Sequence, residues 1–139
     1  MSIHDPICPP RFYYGSRKNQ IIHCKLRINM SDLSFDLHNR HLSSNSSCRC
    51  GHAVESARHF FLNCPLYEQV RASTIDEIPQ IFRNTSTILH GSNTLDIDTN
   101  ISIFYHVHKF IELTGRFWNI TLLHPITALK LWHPFLLIY

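Results

Sequence analysis

Three cysteines and one histidine lie close together near the middle of the chain: Cys48, Cys50, His59 and Cys64. Their spacing, Cys-x-Cys-x8-His-x4-Cys, supplies three thiolates and one imidazole, a ligand set that suits tetrahedral zinc. Four protein ligands leave no open position for water or substrate, which favours a structural metal over a catalytic one. Sulfur and imidazole ligands also favour zinc over magnesium or calcium. The sequence therefore predicts one structural Zn²⁺ held by these four residues.

Two other interpretations of this cluster stay open. The cysteines are also compatible with buried free thiols beside an unrelated histidine, because unpaired cysteine is among the most buried residue types. His52 is a rival fourth ligand, although its place two residues after Cys50 makes chelation by both side chains tight. The other histidines have no second ligand at convincing metal spacing and are expected on the surface or in the core: His4, His23, His38, His41, His90, His106, His108, His124 and His133.

The sequence contains no recognisable catalytic motif. A chain of 139 residues is about one domain long, which excludes a polymerase or a large enzyme core. It has no nucleophile elbow, no phosphate-binding glycine loop and no paired-histidine metalloprotease motif. The acidic pair Asp96 and Asp98 is typical of helix capping, not of a metal-dependent active site. We therefore expect the chain not to be an enzyme.

The amino-acid sequence predicts neither a targeting signal nor a membrane span. The first 12 residues contain no apolar run of signal-peptide length, and an odd number of cysteines, 5, does not suit a disulfide scaffold. The expected location is therefore nuclear or cytoplasmic, and not secreted. The apolar stretch near the end is interrupted by Pro125, Lys130 and Pro134, so no membrane span is expected.

Positive charge is concentrated upstream of the cluster and beside it. Residues 11–58 hold eight Lys or Arg and three Asp or Glu, a net charge of +5, whereas the rest of the chain carries −2 and the whole chain +3. Such a surface is either simply solvated or displaces counterions from nucleic acid. On the second interpretation, the candidate nucleic-acid contacts are Arg17, Lys18, Lys25, Arg27, Arg40, Arg49 and Arg58.

Aromatic side chains near this charge are candidates for stacking on bases. They are Tyr13, Tyr14, Phe60, Phe61 and Tyr67. Because Phe60 and Phe61 follow His59 directly in an apolar run, we expect these two to lie in the hydrophobic core instead.

The elements that must position these residues are predicted to be helices, because apolar residues recur at helical spacing and no period of two occurs. Residues 19–30 form one helix, with Ile22, Leu26 and Met30 on its apolar face. Ser31 or Asp32 caps a second, short helix that carries Leu33 and Leu37. Residues 55–62 form a short helix carrying His59, and Pro65 opens a helix over 65–78.

A longer helix is predicted to begin at a cap on Asp98 or Thr99 and to end near Thr114, where Gly115 follows. Its buried face is expected to contain Ile101, Phe104, Tyr105, His108 and Ile111. The predicted fold is therefore mainly α: a small helical domain organised around a Cys3His zinc knuckle. Its segments are a disordered N-terminus (1–10), a basic helical segment (11–47), the knuckle with its following helix (48–78), a C-terminal helical region (79–118) and an irregular apolar tail (119–139).

The motifs resemble the region that follows the polymerase domain in LINE-type (non-LTR) retrotransposon polyproteins. In the first half, the matching positions are Lys25, Arg27, Leu33, Leu37, Cys48, Cys50, Glu55, His59, Phe60, Cys64, Pro65, Tyr67 and Arg71. In the second half, they are Leu89, Gly91, Phe110, Ile111, Thr114, Arg116 and Phe117. The resemblance spans about residues 11–118, and the knuckle is its most specific part.

The resemblance implies an accessory module that binds RNA or DNA beside a reverse transcriptase. The polymerase's paired aspartates and the endonuclease domain do not occur in this chain, so we expect a detached fragment of such a polyprotein. Two alternatives stay open: a zinc-dependent protein-interaction module, and a relic open reading frame with no cellular role. No sequence feature indicates an oligomeric state.

Overall fold

The computed structural model describes residues 10–118, and the residues before and after this range lie outside the description. The expectations of a disordered N-terminus before residue 10 and of an apolar tail over 119–139 therefore fall outside the described residues. Residues 10–118 are mainly helical and contain no strand, which confirms the mainly α prediction. No helix within this range is long and apolar enough to cross a membrane.

The first α-helix, α1 (Arg17–Arg27), follows a short 3-10 helix at Pro10–Tyr13. It begins at Ser16, whose hydroxyl accepts a hydrogen bond from the Asn19 backbone N–H at 3.2 Å. Leu26 is buried on its inner face, as predicted. The prediction that the helix continues to Met30 is wrong: the chain leaves the helix after Arg27, and Met30 is exposed.

The second helix, α2 (Ser34–Asn39), is capped by a residue distant in sequence. The predicted cap by Ser31 or Asp32 is wrong, because Ser31 binds the Asp36 carboxylate instead. The Ser34 backbone N–H donates to Glu55 Oε1 at 2.8 Å. The start of α2 is therefore fixed to the metal-cluster segment.

The predicted single helix over 65–78 is divided into three pieces. A 3-10 turn at Pro65–Tyr67 leads into α3 (Glu68–Ala72), and a second 3-10 turn follows at Ile75–Glu77. The break has a local cause: the Thr74 hydroxyl donates to the Val70 carbonyl at 2.6 Å and so competes with the backbone for that acceptor.

The last two helices are α4 (Thr85–His90) and α5 (Ile97–Thr114). The predicted end of α5 before Gly115 is confirmed; Gly115 adopts the left-handed φ of 62° that glycine tolerates best. The predicted cap on Asp98 or Thr99 is wrong, because the Asp96 carboxylate accepts the Thr99 N–H at 2.6 Å.

The buried face of α5 forms the centre of the core and packs against α1, α3 and α4. Its buried residues are Asn100, Ile103, Phe104, Val107, His108, Phe110 and Ile111. Tyr105, predicted on this face, is 47% exposed instead. Phe60 and Phe61 are fully buried and lie 5.0 and 5.4 Å from the Phe110 ring, measured between centroids, so both belong to the core as expected. The segment that carries the cysteine cluster is thereby packed directly onto α5.

Candidate metal centre

The side chains of Cys48, Cys50, His59 and Cys64 converge on one point. Their ligand atoms all lie within 4.8 Å of one another. Cys48 Sγ is 3.7 Å from Cys64 Sγ, and Cys50 Sγ is 3.3 Å from His59 Nε2. Tetrahedral zinc with bonds of about 2.3 Å places two sulfur ligands about 3.8 Å apart. The cluster therefore has the donor set and the spacing to hold one metal ion.

A tight turn supplies the first two ligands. The Gly51 N–H donates to the Cys48 carbonyl at 3.0 Å, and the Cys48 N–H donates to the His52 carbonyl at 2.9 Å. Gly51 has a φ of 96°, a conformation that residues with a Cβ rarely adopt. The His52 N–H points at Cys50 Sγ at 3.4 Å, an outer-shell hydrogen bond of the kind that orients metal ligands.

A wide helical turn supplies the other two ligands. His59 begins a π-helical turn, His59–Asn63, and the Cys64 N–H donates back to the His59 carbonyl at 2.7 Å. In an α-helix, residues five apart lie about 140° apart around the axis. The wider π turn reduces this angle, so His59 and Cys64 face the same point; such turns often occur at functional sites.

His52, the rival fourth ligand, does not belong to the cluster. Its ring stacks on the His59 ring with centroids 4.3 Å apart and planes 14° apart. Its Nδ1 faces the Val54 carbonyl at 2.9 Å. His52 therefore supports the orientation of His59 from outside.

The Glu55 carboxylate connects the cluster to two other parts of the chain. Arg116 donates to both of its oxygens, from Nε at 3.0 Å and from Nη2 at 2.6 Å, and Cys48 Sγ lies 3.9 Å away. Burial acts to raise the pKa of Glu55, but hydrogen bonds from Arg116 and Ser34 outweigh it and lower that pKa. A charged Glu55 thus joins the cluster segment to the residues that follow α5.

Arg71 fixes the backbone around the cluster from the opposite side. Its side chain is buried, and it donates to the Phe61 carbonyl at 2.9 Å and to the Cys64 carbonyl at 2.7 Å. Glu55, Arg71 and Arg116 were marked only by the family resemblance, which gave them no role. For Glu55, the sequence does contain one indication of a role: it is the only Asp or Glu between Asp36 and Glu68.

Burial and a backbone hydrogen bond shift the pKa values of the four candidate ligands. It raises the pKa of the Cys48 thiol to about 12 and also raises the pKa of Cys64. The backbone hydrogen bond from His52 lowers the pKa of Cys50, and burial lowers that of His59. A metal ion that binds here must displace the thiol protons, so binding releases protons to solvent.

The seven candidate nucleic-acid contacts fall into two groups. Five have exposed side chains: Arg17, Lys18, Lys25, Arg49 and Arg58. Arg27 and Arg40 are engaged within the fold: Arg27 donates to the Leu89 carbonyl and lies 3.9 Å from the Phe12 ring centroid, and Arg40 donates to the Ser31 carbonyl at 2.6 Å.

The exposed residues occupy separate places on the surface. Lys18 and Lys25 line one depression beside Phe117, and Arg17 lines a neighbouring groove along α1. Arg49 lies in the metal-binding turn and lines a different cleft. Exposed positive charge therefore lies on α1 and in the turn between Cys48 and Cys50.

Comparison with protein-family models, with curated proteins and with solved structures finds no significant match to this chain. The arrangement of the four ligands and of their supporting residues is therefore the basis on which a function is inferred.

Proposed function

We propose that the chain is a zinc-stabilised module that binds single-stranded nucleic acid, RNA or DNA. The observation that carries the proposal is the Cys3His cluster, whose first two cysteines flank the exposed Arg49. The exposed cations of α1 add further positive charge. The resemblance to the post-polymerase region of LINE-type polyproteins supports the same function.

Zinc is the ion that best suits this donor set. Three sulfurs and one imidazole are softer ligands than magnesium or calcium prefers, and the distances agree with tetrahedral geometry. Four protein ligands complete that geometry. The ion's contribution is therefore folding free energy and rigidity, not an activated water.

Salt dependence is the direct test of nucleic-acid binding. We expect the zinc-loaded chain to bind a fluorescent single-stranded RNA, which fluorescence anisotropy measures. If binding neutralises about four phosphates, the affinity should be about 50-fold weaker at 200 mM salt than at 50 mM. The double variant Lys18→Gln/Lys25→Gln should reduce the salt dependence. Lys109→Gln, an exposed lysine on α5, is the matched control and should not. Binding that does not change with salt would contradict the proposal.

A second candidate function is docking to another protein, because α1 carries an apolar groove of about 480 Å³. Tyr13, Ile21 and Ile28 line it and are exposed. A pull-down after nuclease treatment separates the two candidates. Retention of one defined protein without RNA, lost in Ile21→Asp, favours docking; loss of all retention after nuclease favours nucleic acid.

A further inference from the structure

A cleft of about 370 Å³ lies directly beside the metal cluster. The turn between Cys48 and Cys50 contributes Arg49, the segment after Cys64 contributes Leu66 and Tyr67, and the chain just after α5 contributes Arg116. Ser34 and Glu55 also line it. The cleft thus joins the three parts of the chain that Glu55 connects.

Three groups in this cleft have hydrogen-bond donors without an acceptor among residues 10–118. Arg116 uses Nε and Nη2 for Glu55 and the Asp32 carbonyl, which leaves Nη1 without a partner in that range. Arg49 is exposed and forms no ion pair there. The Tyr67 ring packs against Phe60 and Phe110, and its hydroxyl donates to no group in the described part of the chain.

Arg49, Arg116 and Tyr67 all line this one cleft, which brings two guanidinium groups and a hydroxyl to a common space. Among the described residues that line the cleft, Glu55 is the only carboxylate, and its hydrogen bonds go to Arg116 and Ser34 and not to Arg49.

We propose that this cleft binds a phosphate group, contributed by the backbone of a single nucleic-acid strand. Arg49 and Arg116 Nη1 pair with the phosphate oxygens, and the Tyr67 hydroxyl donates a third hydrogen bond. Leu66, half exposed at the wall, contacts the adjoining sugar or base. The source of the phosphate, a nucleic-acid strand, rests on the proposed function. The phosphate site itself does not depend on that function.

The metal and the phosphate are coupled through the chain. Arg49 is the residue between two ligands, Cys48 and Cys50, so the bound ion fixes the backbone on both sides of its side chain. A preorganised guanidinium loses less conformational entropy when it binds an anion. Removal of the metal should therefore weaken phosphate binding even though no phosphate oxygen touches the ion.

The test uses the zinc-loaded full chain and two probes, inorganic phosphate and a single-stranded RNA octamer. Heteronuclear NMR follows the Arg49 side-chain N–H and the Gly115 amide during each titration. Arg49→Gln should weaken binding of both probes at least tenfold, and Tyr67→Phe about threefold. Lys109→Gln is the matched control: an exposed lysine on α5 that does not line the cleft. It should leave phosphate binding unchanged. Unaltered zinc content in each variant shows that the fold is retained.

The possible results separate the phosphate site from the nucleic-acid function. Shifts at the cleft with both probes, lost in Arg49→Gln, support the site and the nucleic-acid function. Shifts with inorganic phosphate but no binding of the octamer support the site and overturn the nucleic-acid function. Octamer binding that is equal in Arg49→Gln and in the unmodified chain overturns the site and leaves the function standing. Absence of both responses overturns both.

Discussion

At the scale of single residues, the Glu55–Arg116 pair determines how the metal-cluster segment is held. Glu55 is 3% exposed and its partner guanidinium is 15% exposed, so both charges are largely removed from water. A buried pair adds little net stability compared with apolar residues, but loss of one partner leaves the other charge without compensation.

Replacement of Glu55 by Gln should therefore lower the free energy of unfolding by about 3 kcal/mol, because Arg116 stays buried and loses its counter-charge. Urea denaturation of the zinc-loaded chain measures the effect. Glu68→Gln, on the exposed side of α3, is the matched control and should change stability by less than about 0.5 kcal/mol. Equal stability of the two variants would show that the pair does not hold the segment.

Two buried histidines that are outside the metal cluster form a second polar contact in the core. His23 Nε2–H donates to the Ile88 carbonyl at 2.9 Å, and His23 Nδ1 lies 3.1 Å from His108 Nε2. Arg27 Nη2 donates to the same His23 nitrogen at 3.0 Å. Burial and then the charge of Arg27 lower the pKa of His108 to about 4 and that of His23 well below its usual value. Both rings are thus neutral in the folded protein at neutral pH.

A histidine whose folded pKa is lowered stabilises the fold fully above its unfolded pKa of about 6.5, and this contribution is lost as the pH falls toward the folded pKa. His108→Gln removes that dependence. Between pH 7 and pH 5.5, the difference in free energy of unfolding between the unmodified chain and this variant should narrow by about 1 kcal/mol. Urea denaturation at the two pH values checks it, and a constant difference would mean that His108 is not held neutral.

At the scale of helices, local sequence patterns predict elements well and their ends less well. The periodicity of α5 and the glycine that follows it predict that helix and its last residue. The prediction that Tyr105 lies on the buried face of α5 is wrong, because Phe104 and His108 already fill the interface between α5 and α1. At the break in the 65–78 helix, the hydroxyls of Ser73 and Thr74 both donate to the Val70 carbonyl, which a periodic pattern does not reveal.

In the candidate site too, some residues can be predicted from the sequence and others cannot. Its four ligands are predictable because they lie within 17 residues and their types are specific to one chemistry. Its supporting residues are not, because Arg116 lies 61 positions from Glu55 and only the fold brings them together. The capping of α2 by Glu55 cannot be predicted from sequence spacing for the same reason. Sequence spacing thus predicts the metal site, whereas tertiary contacts determine what surrounds it.

The cap of α5 gives a prediction at this scale. Asp96→Ala removes the carboxylate that accepts the Thr99 N–H and should lower the melting temperature measurably. Asp98→Ala, within the first turn, removes only a favourable interaction with the helix dipole and should cost about 0.3 kcal/mol. Thermal denaturation compares the two. A larger loss in Asp98→Ala would assign the cap to the residue that the sequence pattern favours.

At the scale of the whole molecule, the metal centre and the hydrophobic core depend on each other. Phe60 and Phe61 directly follow the ligand His59 and pack on Phe110 of α5. Arg71 and Glu55 add polar connections from the cluster to α3 and to the chain after α5. A metal ion bound at this cluster would therefore stabilise more than the short segment that holds it, since free energy of metal binding contributes to folding.

Chelation of the metal should accordingly remove amide hydrogen-exchange protection throughout residues 48–67 and weaken it in α5, while α1 loses least. Hydrogen exchange with mass-spectrometric detection, with and without a strong zinc chelator, measures this directly. Unchanged protection in 48–67 after complete removal of zinc would mean that the segment folds without the metal.

The most direct test of the central claim is the zinc stoichiometry of the purified chain by native mass spectrometry. One zinc per chain is predicted, retained in Cys24→Ser, whose cysteine is exposed and outside the cluster, and lost in Cys64→Ser. A chain that binds no zinc, or that keeps a full equivalent in Cys64→Ser, would contradict the assignment of Cys48, Cys50, His59 and Cys64 as the metal site.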